Sequence, residues 1–176
     1  MTAYRALHRE ELDRRLFAQF IRRQEVTDCW RREGAGWVIR PDPFVDDWSE
    51  EDYQFLLRCL QDTIAQGGFV YGAFVDGVLK GFVAVTAGLF GGAHRYMDLA
   101  SIHISQDLRG RGLGRALFQA AADWARSQGA GKLYISAHSA VESQAFYARM
   151  GCVDAQLPDP RHTQAEPFDR QLEFKL

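Results

Sequence analysis

Apolar positions along the chain recur with two rhythms, and the change from one to the other predicts the order of elements. Tyr4 to Leu7 reads as a short first strand. From Glu10 to about Arg23, Leu12, Leu16, Phe17, Phe20 and Ile21 fall on one helical face, which predicts an amphipathic helix. The stretch from Thr27 to Trp48 has no such rhythm. Trp30, Trp37, Phe44 and Trp48 alternate irregularly with Asp42, Asp46 and Asp47, and Pro41 and Pro43 interrupt regular structure, so an irregular connection is expected. Ser49 followed by Asp52 has the spacing of a helix start. Tyr53, Leu56, Leu57, Leu60 and Ile64 then recur at helical spacing until Gly67 and Gly68 stop it.

Beyond Gly68 the rhythm becomes that of strands. Phe69 to Phe74 and Val78 to Leu89 flank Val75-Asp76-Gly77, and Asp-Gly favours the positive backbone angles of a hairpin turn. Tyr96 to Ile104 predicts another strand, Leu113 to Ser127 a helix, Lys132 to Ala137 a strand, and Ser139 to Met150 a helix closed by Gly151. Gln171 to Leu176 supplies a last strand. Helices, a hairpin, then alternating strands and helices indicate an α/β (α+β) fold, a mixed sheet with helices packed on it. No internal repeat interrupts this order.

Composition narrows the class. The 176 residues suit one domain spanning 1–176, and 47% hydrophobic with 25% charged residues is the balance of a folded globular chain. No apolar run reaches the roughly 18 residues that span a bilayer. The N-terminus is charged from Arg5 through Glu11, so a cytoplasmic protein without membrane attachment is expected. Cys29, Cys59 and Cys152 are odd in number and widely spaced, which suggests reduced core thiols and no metal site. A formal charge of −2 argues against nucleic acid as a partner, since its binders usually carry a pI above about 9.

The most informative stretch is Ile102 to Arg115. A strand of alternating Ile and polar residues runs into Arg109-Gly110-Arg111-Gly112-Leu113-Gly114-Arg115, and a helix follows at once. A helix start leaves N–H groups unpaired and carries the positive end of the helix dipole, so it attracts phosphate oxygens. Glycines let those oxygens approach, and an arginine fork can donate two hydrogen bonds to one phosphate. The expected ligand is a pyrophosphate or similar group. A dinucleotide fingerprint starting at Gly110 would need glycine where Arg115 stands, and no Gly-Lys-Ser/Thr triplet of a P-loop follows. The plainer alternative is a glycine-rich turn that serves packing alone.

Arg109-x-x-Gly112-x-Gly114 resembles the R/Q-x-x-G-x-G/A signature of the GNAT-type N-acetyltransferase superfamily. Phe146-Tyr147-Ala148-Arg149-Met150-Gly151-Cys152 looks like that family's F/L-Y-x-x-x-G-F block, with Cys152 in place of the usual aromatic. The resemblance implies a mixed sheet splayed at its middle. It implies acetyl-CoA as donor co-substrate, with Ile102, His103 and Ile104 pairing their backbones with the pantetheine arm and residues 109 to 115 holding the pyrophosphate. It further implies transfer of acetyl to a primary amine of a small molecule or peptide, without a metal, and it allows a homodimer. A non-catalytic acetyl-CoA sensor and a phosphate-binding regulatory domain are the competing readings.

Attack of an amine on a thioester builds an oxyanion and expels a thiolate. The resemblance implies a strand N–H near Ile102 to Ile104 facing the oxyanion, and it puts Tyr147 at the position of the acid that protonates sulfur, a role for which a neutral phenol is suited. The base that deprotonates the amine is sought among Asp98, His103, His138 and Glu142, with Asp98 preferred. Glu142 also fits a capping box with Ser139, and His103 has the alternative of facing away from the splay. The aromatics and acids of Thr27 to Trp48 either line the acceptor pocket or form a solvated loop, and Glu166 and His162 have the same two readings.

Overall fold

A computed structural model of the protein describes residues 1–176. In chain order the elements are β1 (Thr2–Ala6), β2 (Arg23–Glu33), β3 (Gly36–Asp47), α1 (Glu50–Ala65), β4 (Phe69–Val75), β5 (Val78–Val85) and β6 (Tyr96–Ile104). Then come α2 (Leu113–Ser127), β7 (Lys132–Ala137), α3 (Val141–Met150), β8 (Val153–Asp154), α4 (Pro160–Ala165) and β9 (Arg170–Lys175). Seven strands form one mixed sheet in the order β1-β4-β5-β6-β7-β9-β8, and β2 and β3 form a separate hairpin. The expected mixed sheet with flanking helices is therefore observed.

The sheet is antiparallel except between β6 and β7, which run parallel and pair only at Tyr96↔Lys132, Met97↔Leu133 and Asp98↔Tyr134. Past Asp98 the two strands part. β6 continues beside β5 as far as Ile104↔Gly81, with a bulge at Ala100, while β7 continues beside β9 as far as Ala137↔Arg170. This is the splay that the resemblance implied.

Alternation along the strands divides the core in two. Val83, Val85, Met97, Leu99, Leu133, Ile135 and Ala137 face α2 and bury Leu113, Leu117, Phe118, Ala121, Ala122 and Ala125. On the opposite face Phe82, Ala84, Leu79 and Val70 pack against Tyr53, Leu56, Leu57 and Leu60 of α1 and against Leu12, Phe17 and Phe20. Gly77 at φ +81° and Asp76 at φ +50° form the turn expected between β4 and β5.

Two expectations fail on the N-terminal side. Residues 12–20 are a succession of turns following a short 3₁₀ segment at Arg9–Glu11, not a helix. Asp13 Oδ1 accepts from Leu16 N, and Ala18 and Phe20 bond back three residues. Leu12, Phe17 and Phe20 still reach the core and Leu16 packs at its edge, but Ile21 is exposed, so the expected apolar face is kept only in part and without a helix. Thr27 to Trp48 is a long antiparallel hairpin instead of an irregular connection. Its register shifts between Val26 and Asp28, opposite Pro41 to Pro43, and a bulge on a strand with one free edge tolerates prolines. The cysteines also differ from expectation in part: Cys29 is buried and Cys152 half-buried, but Cys59 is exposed on α1. No helix is long and apolar enough to cross a membrane.

The start of α1 matches its sequence signal. Ser49 Oγ accepts from Asp52 N at 3.2 Å, and the Asp52 carboxylate accepts from Ser49 N at 2.7 Å. Ser49→Ala should therefore lower the unfolding free energy by about 1 kcal/mol, read by urea denaturation; an unchanged midpoint would remove this cap from the account of α1.

Candidate active site

A cavity of about 1350 Å³ fills the gap between β6 and β7. Ala100 to Ile104 form one wall, Ser136 and His138 the other, and Phe44, Asp46 and Trp48 of the hairpin cover it. The Thr27 to Trp48 segment thus contributes to the cavity, as one of its two readings held.

At one end the cavity meets the start of α2. Gly112 is the residue before the helix, at φ +85°, and no side chain caps the first turn. The N–H groups of that turn therefore point outward without a protein partner. A Cβ at Gly110 or Gly112 would meet nothing within 4 Å, so the space above the loop is open. Gly114 is needed for a different reason: a Cβ there would lie 3.1 Å from the Phe146 ring, so it permits close packing of α2 on α3.

Arg109, Gly110, Gly112, Gly114 and Arg115 line the cavity, together with Ile102, His103 and Ile104. Arg111 is exposed outside the lining, and Leu113 is buried in the α2 core, so only its backbone is available to a ligand. None of Arg109, Arg111 or Arg115 is in a salt bridge, whereas Arg22, also in the lining, pairs with Asp46 at 2.7 Å. Arg22 is 8% exposed, and its Nε and Nη1 have no hydrogen-bond partner. Buried donors without partners are costly, and an anionic ligand in the cavity would satisfy them. Burial and the Arg22 charge lower the Arg109 pKa.

Tyr147 of α3 reaches the same cavity from the α2 face of the sheet, 9% exposed, with its hydroxyl unpaired. Burial, followed by the charges of Cys152 and Asp169, raises its pKa well above that of an ordinary phenol, so it keeps its proton at neutral pH. His103 faces the other side of β6, packed edge-on to Trp48 at 4.9 Å and against Phe82. Burial, then Arg22 and Arg109, push its pKa down to about 3, which leaves it neutral and a weak base.

Asp98, the preferred base, is not among the residues lining the cavity. Its Oδ2 lies 2.8 Å from His162 Nε2, tying α4 to β6. The hydrogen bond to Asp98 raises the pKa of His162. The capping box expected at Ser139 and Glu142 does not form. The residue before α3 is Ala140, whose N–H goes to His138 Nδ1, and Ser139 Oγ accepts from Arg31. Glu142 is left exposed in the cavity lining, as is Glu166.

Sequence reasoning passed over Arg22, Ser136, Arg149 and Asp169, all of which line the cavity. Asp169 closes a turn through its N–H to Glu166 O and accepts from Ser136 Oγ at 3.0 Å. Burial raises its pKa, with Ser136, His138 and His162 opposing. No local motif marks it; only the pairing of β7 with β9 puts it beside Ser136. No group of three or more His, Cys, Asp or Glu side chains could hold a metal ion.

Comparison with known proteins agrees with this geometry. A model of the acetyltransferase (GNAT) family matches residues 11–152. A streptothricin acetyltransferase of Streptomyces lavendulae is 37% identical over 78 residues, which are 43% of this chain; the match spans only 39% of that relative's length. Two solved structures share the fold. A nourseothricin acetyltransferase matches with a TM-score of 0.66 at 23% identity, over 98% of this chain and 95% of that one. A candidate streptothricin acetyltransferase from Bacillus anthracis str. Ames, in complex with acetyl coenzyme A, matches with a TM-score of 0.74 at 13% identity, over 100% and 98%.

Gly112→Asp should place a carboxylate in the open space above the α2 start. Its left-handed backbone costs an L residue about 1 kcal/mol, so the fold should persist. Affinity for coenzyme A, measured by titration calorimetry, should fall more than about 10-fold with an unchanged circular dichroism spectrum. Wild-type affinity would place the anion site elsewhere.

Proposed function

This chain belongs to the acetyltransferase (GNAT) family, and on that premise we propose that residues 1–176 act as one domain that moves the acetyl group of acetyl-CoA to a primary amine. The observation that carries the reading is the shared cavity: the uncapped, arginine-flanked start of α2 and the Tyr147 phenol both open into the gap between β6 and β7. The acceptor is a small-molecule amine, and streptothricin is the first to test because a relative is named for it. The reaction belongs in the cytoplasm, where unpaired cysteines stay reduced.

The residues divide the chemistry by position. The α2 N-terminus, with Arg109 and Arg115, suits the diphosphate of the donor. The edge of β6 beyond Asp98 has no strand partner on the β7 side, which leaves backbone groups of Ala100 to Ile104 free to pair with an extended arm. Tyr147 holds its proton at neutral pH and is suited to give it to the departing sulfur.

Thiol release from acetyl-CoA against amines, streptothricin first, tests the reading: saturable, amine-dependent release is expected. Binding of acetyl-CoA with no release from any amine would favour a sensor instead. Tyr147→Phe should lower kcat by about 10-fold or more while the dissociation constant of acetyl-CoA stays unchanged. Unaltered turnover would remove Tyr147 from the mechanism.

A further inference from the structure

We propose that Asp169 is the acceptor-side base: it binds the ammonium of a cationic primary amine in the gap between β6 and β7 and takes its proton before attack. The inference rests on the acetyl-transfer reading above and adds to it the charge of the acceptor and the residue that receives it.

Three observations carry it. The cavity lining includes Arg109, Arg115 and Arg149 and three carboxylates, Glu142, Glu166 and Asp169, that make no salt bridge. Glu142 and Glu166 are exposed, and Asp169 alone is half-buried. A carboxylate drawn out of water attracts a cation more strongly and is a better proton acceptor than a solvated one.

Position on the sheet is the second. Ile135 and Ala137 of β7 face α2 and share the core that includes Tyr147. Ser136, between them, faces the opposite side, where it holds Asp169. Tyr147 and Asp169 therefore address the gap from opposite faces, so the acid at the leaving sulfur and the base at the acceptor nitrogen are separate groups that do not compete for one position.

The third is a directed chain of hydrogen bonds. Asp159 N–H donates to Tyr134 Oη at 2.8 Å, Tyr134 Oη to Gln171 Oε1 at 2.5 Å, Gln171 Nε2 to Ser136 Oγ at 3.0 Å, and Ser136 Oγ to Asp169 Oδ2 at 3.0 Å. Every donor points toward Asp169. Such a chain polarises in one sense and fixes the carboxylate, while Oδ1 accepts no hydrogen bond from the protein and is left for the ligand. Because an amide interrupts it, the chain orients Asp169 and does not conduct protons.

The step balances as follows. The ammonium gives one proton to Asp169, and the freed nitrogen pair forms the C–N bond as the C–S bond breaks. Tyr147 protonates the thiolate and regains a proton from the new amide nitrogen; Asp169 releases its own to solvent.

The test is Asp169→Asn, which keeps the bond from Ser136 and removes the charge, assayed with streptothricin and with cadaverine. The expected loss in kcat/KM is about 100-fold or more, with acetyl-CoA affinity unchanged. Glu142→Gln and Glu166→Gln should each change kcat/KM by less than about 3-fold, because exposed charges are well screened. Burial raises the Asp169 pKa, so ionisation disfavours the folded state above that pKa and is costless below the usual carboxylate value. Asp169→Asn should therefore not lower the unfolding temperature at pH 7, which separates lost chemistry from lost structure. Wild-type kcat/KM should rise with pH as Asp169 ionises, and in Asp169→Asn that limb should move up toward the pKa of the amine itself. His138 just after β7, His162 of α4, Tyr147 and Glu142 of α3, Glu166, and Arg31 of β2, which lies over the adjacent Phe168 ring, face this region in both proteins, so the difference between the profiles isolates Asp169. Wild-type kcat/KM in Asp169→Asn, or a larger loss in either glutamate variant, would overturn the inference and leave acetyl transfer standing. A wild-type chain that does not bind acetyl-CoA would overturn both.

Discussion

The architecture turns on a parallel ladder that stops after three residue pairs. β6 and β7 share hydrogen bonds only at Tyr96, Met97 and Asp98, and each then follows a different neighbour. Backbone polar groups inside a sheet are normally paired, so an interrupted ladder in the middle of a sheet leaves groups that water or a ligand must satisfy. The bulge at Ala100 turns β6 away, and the antiparallel pairing of β7 with β9 holds the other wall in place. An opening that would destabilise an ordinary sheet becomes a walled cavity with backbone groups along one side.

Charge is distributed along that opening with little direct neutralisation. Arginines without salt-bridge partners gather near the α2 start, and Arg22, though tied to Asp46, retains two buried donors without partners. Three carboxylates without salt bridges, Glu142, Glu166 and Asp169, share the lining, and the phenol of Tyr147 stays protonated because burial penalises its anion. The buried groups among these, Arg22 and Tyr147 with the half-buried Asp169, act on a bound ligand more strongly than they would in solvent.

Much of the N-terminal third serves this opening indirectly. The hairpin of β2 and β3 carries Phe44, Asp46 and Trp48 over the cavity, and the half nearer its turn is joined to the segment before α3 through Trp30 N–H to Ser139 O. Arg31 adds a bond to Ser139 Oγ, which takes that hydroxyl away from the helix cap its sequence context favours. A local capping signal thus loses to a long-range contact, and Glu142 is freed into the cavity lining as a result.

Where structure follows from neighbours in the chain, the sequence was sufficient: β6, α2 and β7 begin and end where the apolar rhythm places them, and the Ser49 cap and the Asp76-Gly77 turn take the expected geometry. The glycines and arginines of 109–115 were legible for the same reason, since a phosphate cradle is built from consecutive backbone amides. Residues 12–20 were legible only as buried positions, because the core accepts Leu12, Phe17 and Phe20 from turns as readily as from a helix. The prolines of β3 concealed a hairpin, because a bulge on a strand with a free edge does not need their missing N–H groups. Asp98 and Asp169 show what only the tertiary structure decided. Asp98 lies in β6 and Asp169 just before β9, and nothing in their immediate sequence marks which one meets the cavity; strand pairing and the packing of α4 give one to His162 and turn the other toward the gap. Contacts between residues far apart in the chain have no local signature, and these contacts decide which carboxylate lines the cavity.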